Sequence, residues 1–379
     1  MDRPSICFVS LNNYCQLSGD PTVRHIGGAE VQQVLIARAL VARGYRVCFV
    51  TFDHGQQDGE VIDGIKVFKA YHPDSGLPGL RFVHPRITRI WSAMKRADAD
   101  IYYQRTSDSL TGVVAAFCRW HRRRFVFGAA SEADVDENLP HCETRRERIL
   151  YRFGLYRADR VVTQTITQQM MLRCHFGIDS VLIRNAIAAP AVDEALRMPA
   201  NSRMPAVLWS GRFARDKRPE LLLDIAARCP EITIHVLGDG PKSEFVREIW
   251  RRAAGLPNLH MHGSLPRAEA LRYYLKVCAL LCTSRREGFP NTFLEAWCRG
   301  LPVITTFDPD GVVAGHYLGL YANDAESLAR AVRSICFDTA LRSRLGRSAY
   351  EYFLSHHTIE AAVDAYDRLL CTLCLRTRD

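Results

Sequence analysis

The chain has 379 residues, 47% of them hydrophobic, and carries 50 Lys and Arg against 41 Asp and Glu, a formal net charge of +9. That length suits two domains, each with enough apolar residues to bury a core. No run of about 20 apolar residues without charges occurs, which excludes a spanning helix, and the thirteen cysteines lie scattered among apolar residues, which excludes a disulfide scaffold and reads as reduced, packed thiols.

Strand-like and helix-like segments alternate along the chain, the pattern of a parallel sheet covered on both faces. The opening MDRPSICFVS runs straight into a strand at 6–11 without the apolar stretch of a signal peptide, so a cytoplasmic location is expected. A long loop leads to Gly27-Gly28, and a helix is predicted over 30–42, stopped by Gly44. The two glycines do not have GxGxxG spacing, so no nicotinamide cofactor is expected. Strands are predicted at 45–52, 63–71, 101–104, 125–129, 161–163 and 181–184.

Between them, residues 77–97 (LPGLRFVHPRITRIWSAMKRA) hold five basic residues and no acid. Ile87, Ile90, Trp91 and Met94 follow the spacing of one helix face. Such a face either packs on the sheet or lies on an anionic membrane surface. The stretch 117–125 (FCRWHRRRF) and a helix over 145–160 add further basic and aromatic residues, and positive charge leans toward the first half of the chain. Polyanionic partners fit that lean. Asp134-x-Asp136 falls in a loop and reads as solvated or acceptor-facing.

Residues 186–204, with two prolines and many small residues, break the pattern and read as a linker. A second alternation follows, with strands at 206–210, 233–237, 259–262, 278–283 and 303–306. Helices are expected near 218–229, 243–254, 266–275, 290–299, 326–336, 339–354 and 359–375. Cys371 and Cys374 form a CxxC with no second pair at zinc-site spacing, so they read as neighbours on the last helix rather than as a metal site. No nucleic-acid motif accompanies the positive charge, so no nucleic-acid partner is expected.

The chemistry concentrates in the second half. Gly211-Arg212-Phe213 follows a predicted strand, with Lys217 five residues beyond Arg212, so two cations can address one anion, Arg as a planar fork and Lys as a point charge. The chain has six lysines among its 50 basic residues, so a lysine here stands out against the prevailing arginine. Gly238-Asp239-Gly240-Pro241 ends another strand and lets backbone come close to a ligand. The segment EGFPNTFLE then sets Glu287 and Glu295 eight residues apart. Pro290 suits the first turn of a helix, which puts Glu287 and Gly288 in a loop, Asn291 and Thr292 at the helix start, and Glu295 about one turn inside. Free N–H groups at a helix start favour a phosphate, and flanking carboxylates can accept hydrogen bonds from sugar hydroxyls. A nucleotide sugar is a molecule of both kinds.

Here the chain resembles the retaining GT-B glycosyltransferases, glycosyltransferase family 4 (glycosyl transferases group 1). Their motif is a Glu, seven residues, a second Glu, and a helix ending in a Gly-x-Pro-Val turn, which Gly300-Leu301-Pro302-Val303 supplies. The resemblance implies two Rossmann-like, doubly wound parallel-sheet domains facing across a cleft. It implies an acceptor-binding domain at 1–185, a nucleotide-sugar domain at 205–358, and a final helix in 359–379 crossing back to the first domain. It assigns Arg212 and Lys217 to the donor diphosphate, Glu287 to the donor sugar hydroxyls and Glu295 to the ribose. Phe289, Pro290, Asn291 and Thr292 face sugar and phosphate, and Gly27, Gly28, Gly211, Gly238 and Gly240 line the donor site. The implied activity is metal-independent transfer of a hexose from a UDP- or GDP-sugar to a glycan or lipid-linked acceptor, with front-face chemistry and no cofactor. A sugar-nucleotide epimerase, a phosphorylase or a non-catalytic binder of sugar nucleotides are the alternatives. Two departures stand out. The family's His after the 125–129 strand is replaced by Ala130-Ser131-Glu132, which leaves Ser131, Glu132 or Asp134 as acceptor-side candidates. Its Pro-Asn-Gly loop reads Arg184-Asn185-Ala186.

Overall fold

The computed structural model describes residues 3–19, 27–77, 81–190, 205–241 and 243–375. Of the expected linker, residues 191–204 lie outside that set, as do residues 78–80 of the basic segment. The chain divides into two compact units, Met1–Asn185 with Ile359–Asp379, and Ala186–Thr358.

The first unit is built on eight strands: β1 (Ile6–Val9), β2 (Val47–Thr51), β3 (Glu60–Ile62), β4 (Ile65–Lys69), β5 (Ile101–Arg105), β6 (Arg124–Gly128), β7 (Arg160–Thr163) and β8 (Val181–Leu182). Their order is β3-β4-β2-β1-β5-β6-β7-β8, parallel except for β3 against β4. β1, β2 and β5 are buried along their whole length, as strands covered by helices on both faces must be. Phe8 stacks on Phe49 at 4.9 Å between ring centres, and truncating either to Ala would cost about 3–5 kcal/mol. β4 falls within the strand expected at 63–71, whereas its hairpin partner β3 was not expected. Its turn, Asp63-Gly64, has positive φ at both residues (51° and 77°), the conformation a two-residue hairpin requires. The last helix, Ile359–Leu375, belongs to this unit. Asp367 accepts from Arg3 Nη1 at 2.9 Å and from Tyr45 Oη at 2.5 Å, and Asp364 pairs with Arg43 at 2.6 Å.

The basic segment departs from one of its two expected roles. Ile90 and Met94 of the helix Thr88–Ala97 are 4% and 0% exposed, and Trp91 packs on Phe117 at 5.1 Å. Among the described residues, the stripe formed by Ile90, Trp91 and Met94 is therefore a core contact. Covering the sheet removes the same apolar area from water that lipid would.

The second unit has six parallel strands: β9 (Ala206–Ser210), β10 (Thr233–Leu237), β11 (Leu259–Gly263), β12 (Ala279–Cys282), β13 (Val303–Thr305) and β14 (Gly319–Tyr321), in the order β11-β10-β9-β12-β13-β14. Counted from its own first strand this is 3-2-1-4-5-6, the doubly wound order whose direction reverses between β9 and β12. β14 was not expected, since its three residues begin with Gly319 and carry no alternation. No helix among the described residues is long and apolar enough to cross a membrane.

Candidate functional site

Ligands of open α/β sheets bind beyond the strand C-termini where the strand order reverses. In the second unit that point lies between the loops following β9 and β12, and the chain stitches them together. Thr283, just past β12, accepts from Trp209 Nε1 at 3.0 Å and donates to the Lys217 carbonyl at 2.6 Å. Arg218 Nε donates to the Thr283 carbonyl at 2.9 Å, and the Arg285 N–H to the Asp216 carbonyl at 2.7 Å.

This frame holds an ion pair formed across 70 residues of sequence, between Lys217 Nζ and Glu287 Oε1. Both side chains are four-fifths or more buried, and Ser284 Oγ donates to the same carboxylate oxygen at 2.7 Å. Burial alone would lower the Lys217 ammonium, but the Glu287 carboxylate outweighs it and holds the pKa above the usual lysine value. Lys217 is thus a fixed, permanent cation at neutral pH. Arg212, in the same loop, is exposed, and no acid among the described residues pairs with it. A cation left free beside a switch point can take an anion from solution.

The second carboxylate is held as firmly. Glu295, 8% exposed, lies on the helix Asn291–Trp297. Arg267 Nη1 is 2.8 Å from its Oε1, and Tyr274 Oη donates to Oε2 at 2.8 Å. Burial, then the nearby Glu295 charge, pushes the Tyr274 phenol well up, so it stays a donor. Each oxygen keeps lone-pair capacity for a hydroxyl donor. The helix has seven residues, two turns, so attraction of an anion rests on the cations more than on aligned peptide dipoles.

Glycines set the walls. Gly238, at φ 132°, packs so closely on Gly211 that a Cβ would overlap the Gly211 carbonyl oxygen, and at Gly240 it would press on Phe213 at 2.8 Å. Phe289 is 4% exposed with its ring 4.5 Å from that of His357, so its side chain is a packing anchor. Pro290 is buried, and Asn291 and Thr292 are half-buried.

The structure thus places Gly211, Arg212, Lys217, Gly238, Gly240, Glu287, Phe289, Pro290, Asn291, Thr292 and Glu295 on one unit, on the loops and the helix at one edge of its sheet. Gly27 and Gly28 belong to the other unit, at the start of the helix Gly28–Ala42. Ser131, Glu132 and Asp134 are also there. Ser131 and Glu132 are half-buried. Asp134 corrects the expectation of an acceptor-facing carboxylate. It is 0% exposed and accepts from Ser107 N and Oγ at 3.0 and 2.6 Å and from Ala130 N and Ser131 N at 2.6 and 3.0 Å. A carboxylate saturated by four donors orders its loop and has nothing left for a substrate. Burial raises its pKa, but His141 and these donors more than offset that and leave it below the usual range.

Three residues escaped the sequence reading: Ser284, Arg267 and Tyr274. Arg267 and Tyr274 are seven apart on the predicted 266–275 helix, which puts them on one face, a signal available in the sequence. No group of three or more His, Cys, Asp or Glu among the described residues is placed to hold a metal ion.

Comparison with known proteins follows this geometry. The family described as glycosyl transferases group 1 matches residues 197–352, and that described as glycosyltransferase family 4 matches residues 26–189. The chain is 30% identical over 191 residues to the lipopolysaccharide core biosynthesis glycosyltransferase LpsE of Rhizobium meliloti, covering 48% of this chain and 54% of that one. It is 32% identical over 151 residues to the lipopolysaccharide 1,6-galactosyltransferase of Salmonella typhimurium, covering 38% and 41%. These matches therefore span about half the relatives' length or less. Among solved structures, the sucrose-phosphate synthase of Thermosynechococcus elongatus superposes with a TM-score of 0.77 at 21% identity, over 99% of this chain and 100% of that one. Anabaena HepE, solved in complex with UDP and glucose, gives 0.76 at 17% identity over 97% and 99%. These likenesses identify the fold as GT-B. The chain belongs to the group 1 glycosyltransferases of the GT-B fold.

Proposed function

We propose that the chain is a retaining glycosyltransferase that moves a hexose from a UDP- or GDP-sugar to a glycan or lipid-linked acceptor in cell-surface polysaccharide synthesis. The observation that carries this is the pair of anchored carboxylates, Glu287 and Glu295, beside two cations at the switch point of the second unit. Arg212 and Lys217 bind the donor diphosphate and stabilise the charge that grows on it as it leaves. Glu295, aimed by Arg267 and Tyr274, accepts from the ribose hydroxyls, and Glu287 from the donor sugar. In the transfer step the bond from the anomeric carbon to the phosphate oxygen breaks, its electrons leaving with the nucleoside diphosphate. The acceptor hydroxyl attacks the same face, and its proton passes to the departing phosphate oxygen. Glu287 Oε1 is occupied by Lys217 and Ser284, which makes it a poor nucleophile and supports transfer without a covalent enzyme intermediate. Group 1 enzymes generally need no metal, and two protein cations can fill that role here. One relative named for lipopolysaccharide core biosynthesis and another named as a lipopolysaccharide 1,6-galactosyltransferase support an acceptor of that kind.

The test is slow release of UDP or GDP from candidate donors by the purified chain. Release that disappears in Glu287→Ala and Lys217→Ala supports transfer. Release unchanged in both, or interconversion of the free donor sugar as an epimerase would give, defeats it. A thermal-shift comparison of UDP, GDP, ADP and dTDP identifies the base by mass action.

A further inference from the structure

The first unit has a switch point of its own, where strand order reverses between β1 and β5, and a hollow of about 260 Å³ lies there. Two arginines line it, Arg86 and Arg105. Arg105 ends β5 and is 6% exposed. An arginine buried that deeply ordinarily has a carboxylate partner, because an uncompensated charge is costly away from water. Here its Nη2 donates to the amide oxygen of Asn185 at 2.9 Å, and its Nε is buried with no acceptor. Arg86 Nε is likewise buried with no acceptor. Among the described residues, no carboxylate pairs with either guanidinium. The two acids in the lining are committed to helix starts. Asp108 caps the helix Ser109–His121, accepting from the Leu110 N–H at 2.8 Å, and Glu30 folds back over Gly27 in the first turn of the helix Gly28–Ala42. Gln33, 2% exposed, spends Nε2 on Ser10 Oγ and the Ala29 carbonyl and leaves Oε1 buried with no donor.

Backbone strain marks the same place. Thr106 follows Arg105 with φ 78°, a left-handed conformation that β-branched residues adopt only where their surroundings impose it. Gln104 Nε2 holds the bend by donating to the Arg105 and Thr106 carbonyls, each at 2.9 Å. A wall that offers unmatched guanidinium N–H groups and one unmatched amide oxygen suits a ligand with an anionic oxygen and a hydroxyl.

We propose that this hollow seats an acceptor sugar bearing a phosphate or a carboxylate, its anion on Arg86 and Arg105 and a ring hydroxyl donating to Gln33 Oε1. Calling the ligand an acceptor rests on the transferase reading; its charge and its place rest on the first unit alone. A neutral sugar would answer Gln33 and leave both guanidiniums uncompensated. A free inorganic anion would answer the arginines and leave Gln33 Oε1 unmatched.

The full chain is to be titrated by calorimetry with glucose 6-phosphate, glucuronate, methyl glucoside and inorganic phosphate, and with UDP and GDP in parallel. At least one of the two anionic sugars should bind, and the tighter of them tells phosphate from carboxylate. Methyl glucoside and inorganic phosphate should bind at least about ten-fold more weakly. Arg105→Gln should weaken the anionic sugar about ten-fold or more and leave nucleotide binding unchanged. Arg86→Gln, at a half-buried residue, should do the same, and it carries the test if Arg105→Gln does not fold. No binding of either anionic sugar overturns the proposal, as does equal binding of methyl glucoside or of inorganic phosphate, or an anionic sugar held as tightly by the folded variants as by wild type. Nucleotide bound without an anionic sugar defeats this inference alone. An anionic sugar bound without nucleotide, and lost in the variants, upholds the anion seat and defeats the transferase reading.

Discussion

The two units are variations on one sheet, and they load the point where strand order reverses with different partnerships. In the second unit, the β9 and β12 loops carry separated charges, Lys217 on Glu287 with Arg212 left free. In the first, the loops after β1 and β5 border a hollow of about 260 Å³ whose lining mixes Ser10, Asn12, Gln33 and Gln104 with Glu30, Arg86, Arg105 and Asp108. There Gln33 Nε2 donates to Ser10 Oγ at 3.1 Å and Thr111 Oγ1 to Gln104 Oε1 at 2.9 Å, so the charged groups share the lining with paired amides and hydroxyls. The nearby carboxylate, Asp134, is buried under backbone donors. The fold supplies the hollow, and the loop residues decide how its charges are partnered.

The largest expected break in this contrast is Lys217→Met. It leaves Glu287 without its cation, so transfer should fall about a thousand-fold and unfolding free energy by about 3 kcal/mol. Rates and urea denaturation check both, and activity within a few-fold of wild type would contradict the account. Asp134→Ala should act on the other unit alone. Orphaning the N–H groups of Ser107, Ala130 and Ser131 should lower stability by about 3 kcal/mol, while nucleotide affinity of the still-folded protein stays unchanged by calorimetry.

Tyr274→Phe removes one donor to Glu295. Donor KM should rise about ten-fold with kcat nearly constant. Discrimination between UDP and its 2′,3′-dideoxy analogue should shrink, an effect that general loosening would not produce. The smallest effect lies at the edge of the second sheet. Burial, with His262 at 3.0 Å, pushes His235 down to about 4. The unfolded chain takes up this proton at a higher pH than the folded one, so stability should decline as pH falls from about 6.5 toward 4. His235→Asn should flatten that acid arm in denaturation curves.

Much of the fold was legible because burial on both faces writes long apolar strands between amphipathic helices, as at Val47–Thr51 and Ala206–Ser210. The misses were short edge elements. β14 is three residues long, and the Asp63-Gly64 turn that marks β3 was absorbed into a longer predicted strand. The residue types of the donor site were legible from Glu287 and Glu295 and their spacing. Their partnerships were not, because Lys217 meets Glu287 and Arg267 meets Glu295 only through tertiary packing. The sequence around Asp134 reads as a solvated acidic loop, since nothing local announces that Ser107 and the Ala130 and Ser131 amides converge on it. For the 77–97 helix, periodicity located the apolar stripe but could not say whether sheet or lipid covers it.

The central claim is that the free cation at the β9/β12 switch point holds a nucleoside diphosphate. Arg212 is exposed, so Arg212→Ala should leave the melting temperature of the ligand-free protein essentially unchanged. Titrating UDP and GDP against both proteins by thermal shift tests the claim most directly. The account predicts that at least one of them raises the wild-type melting temperature, and that this rise is largely lost in Arg212→Ala. An equal rise in both proteins, or none in wild type, would contradict it.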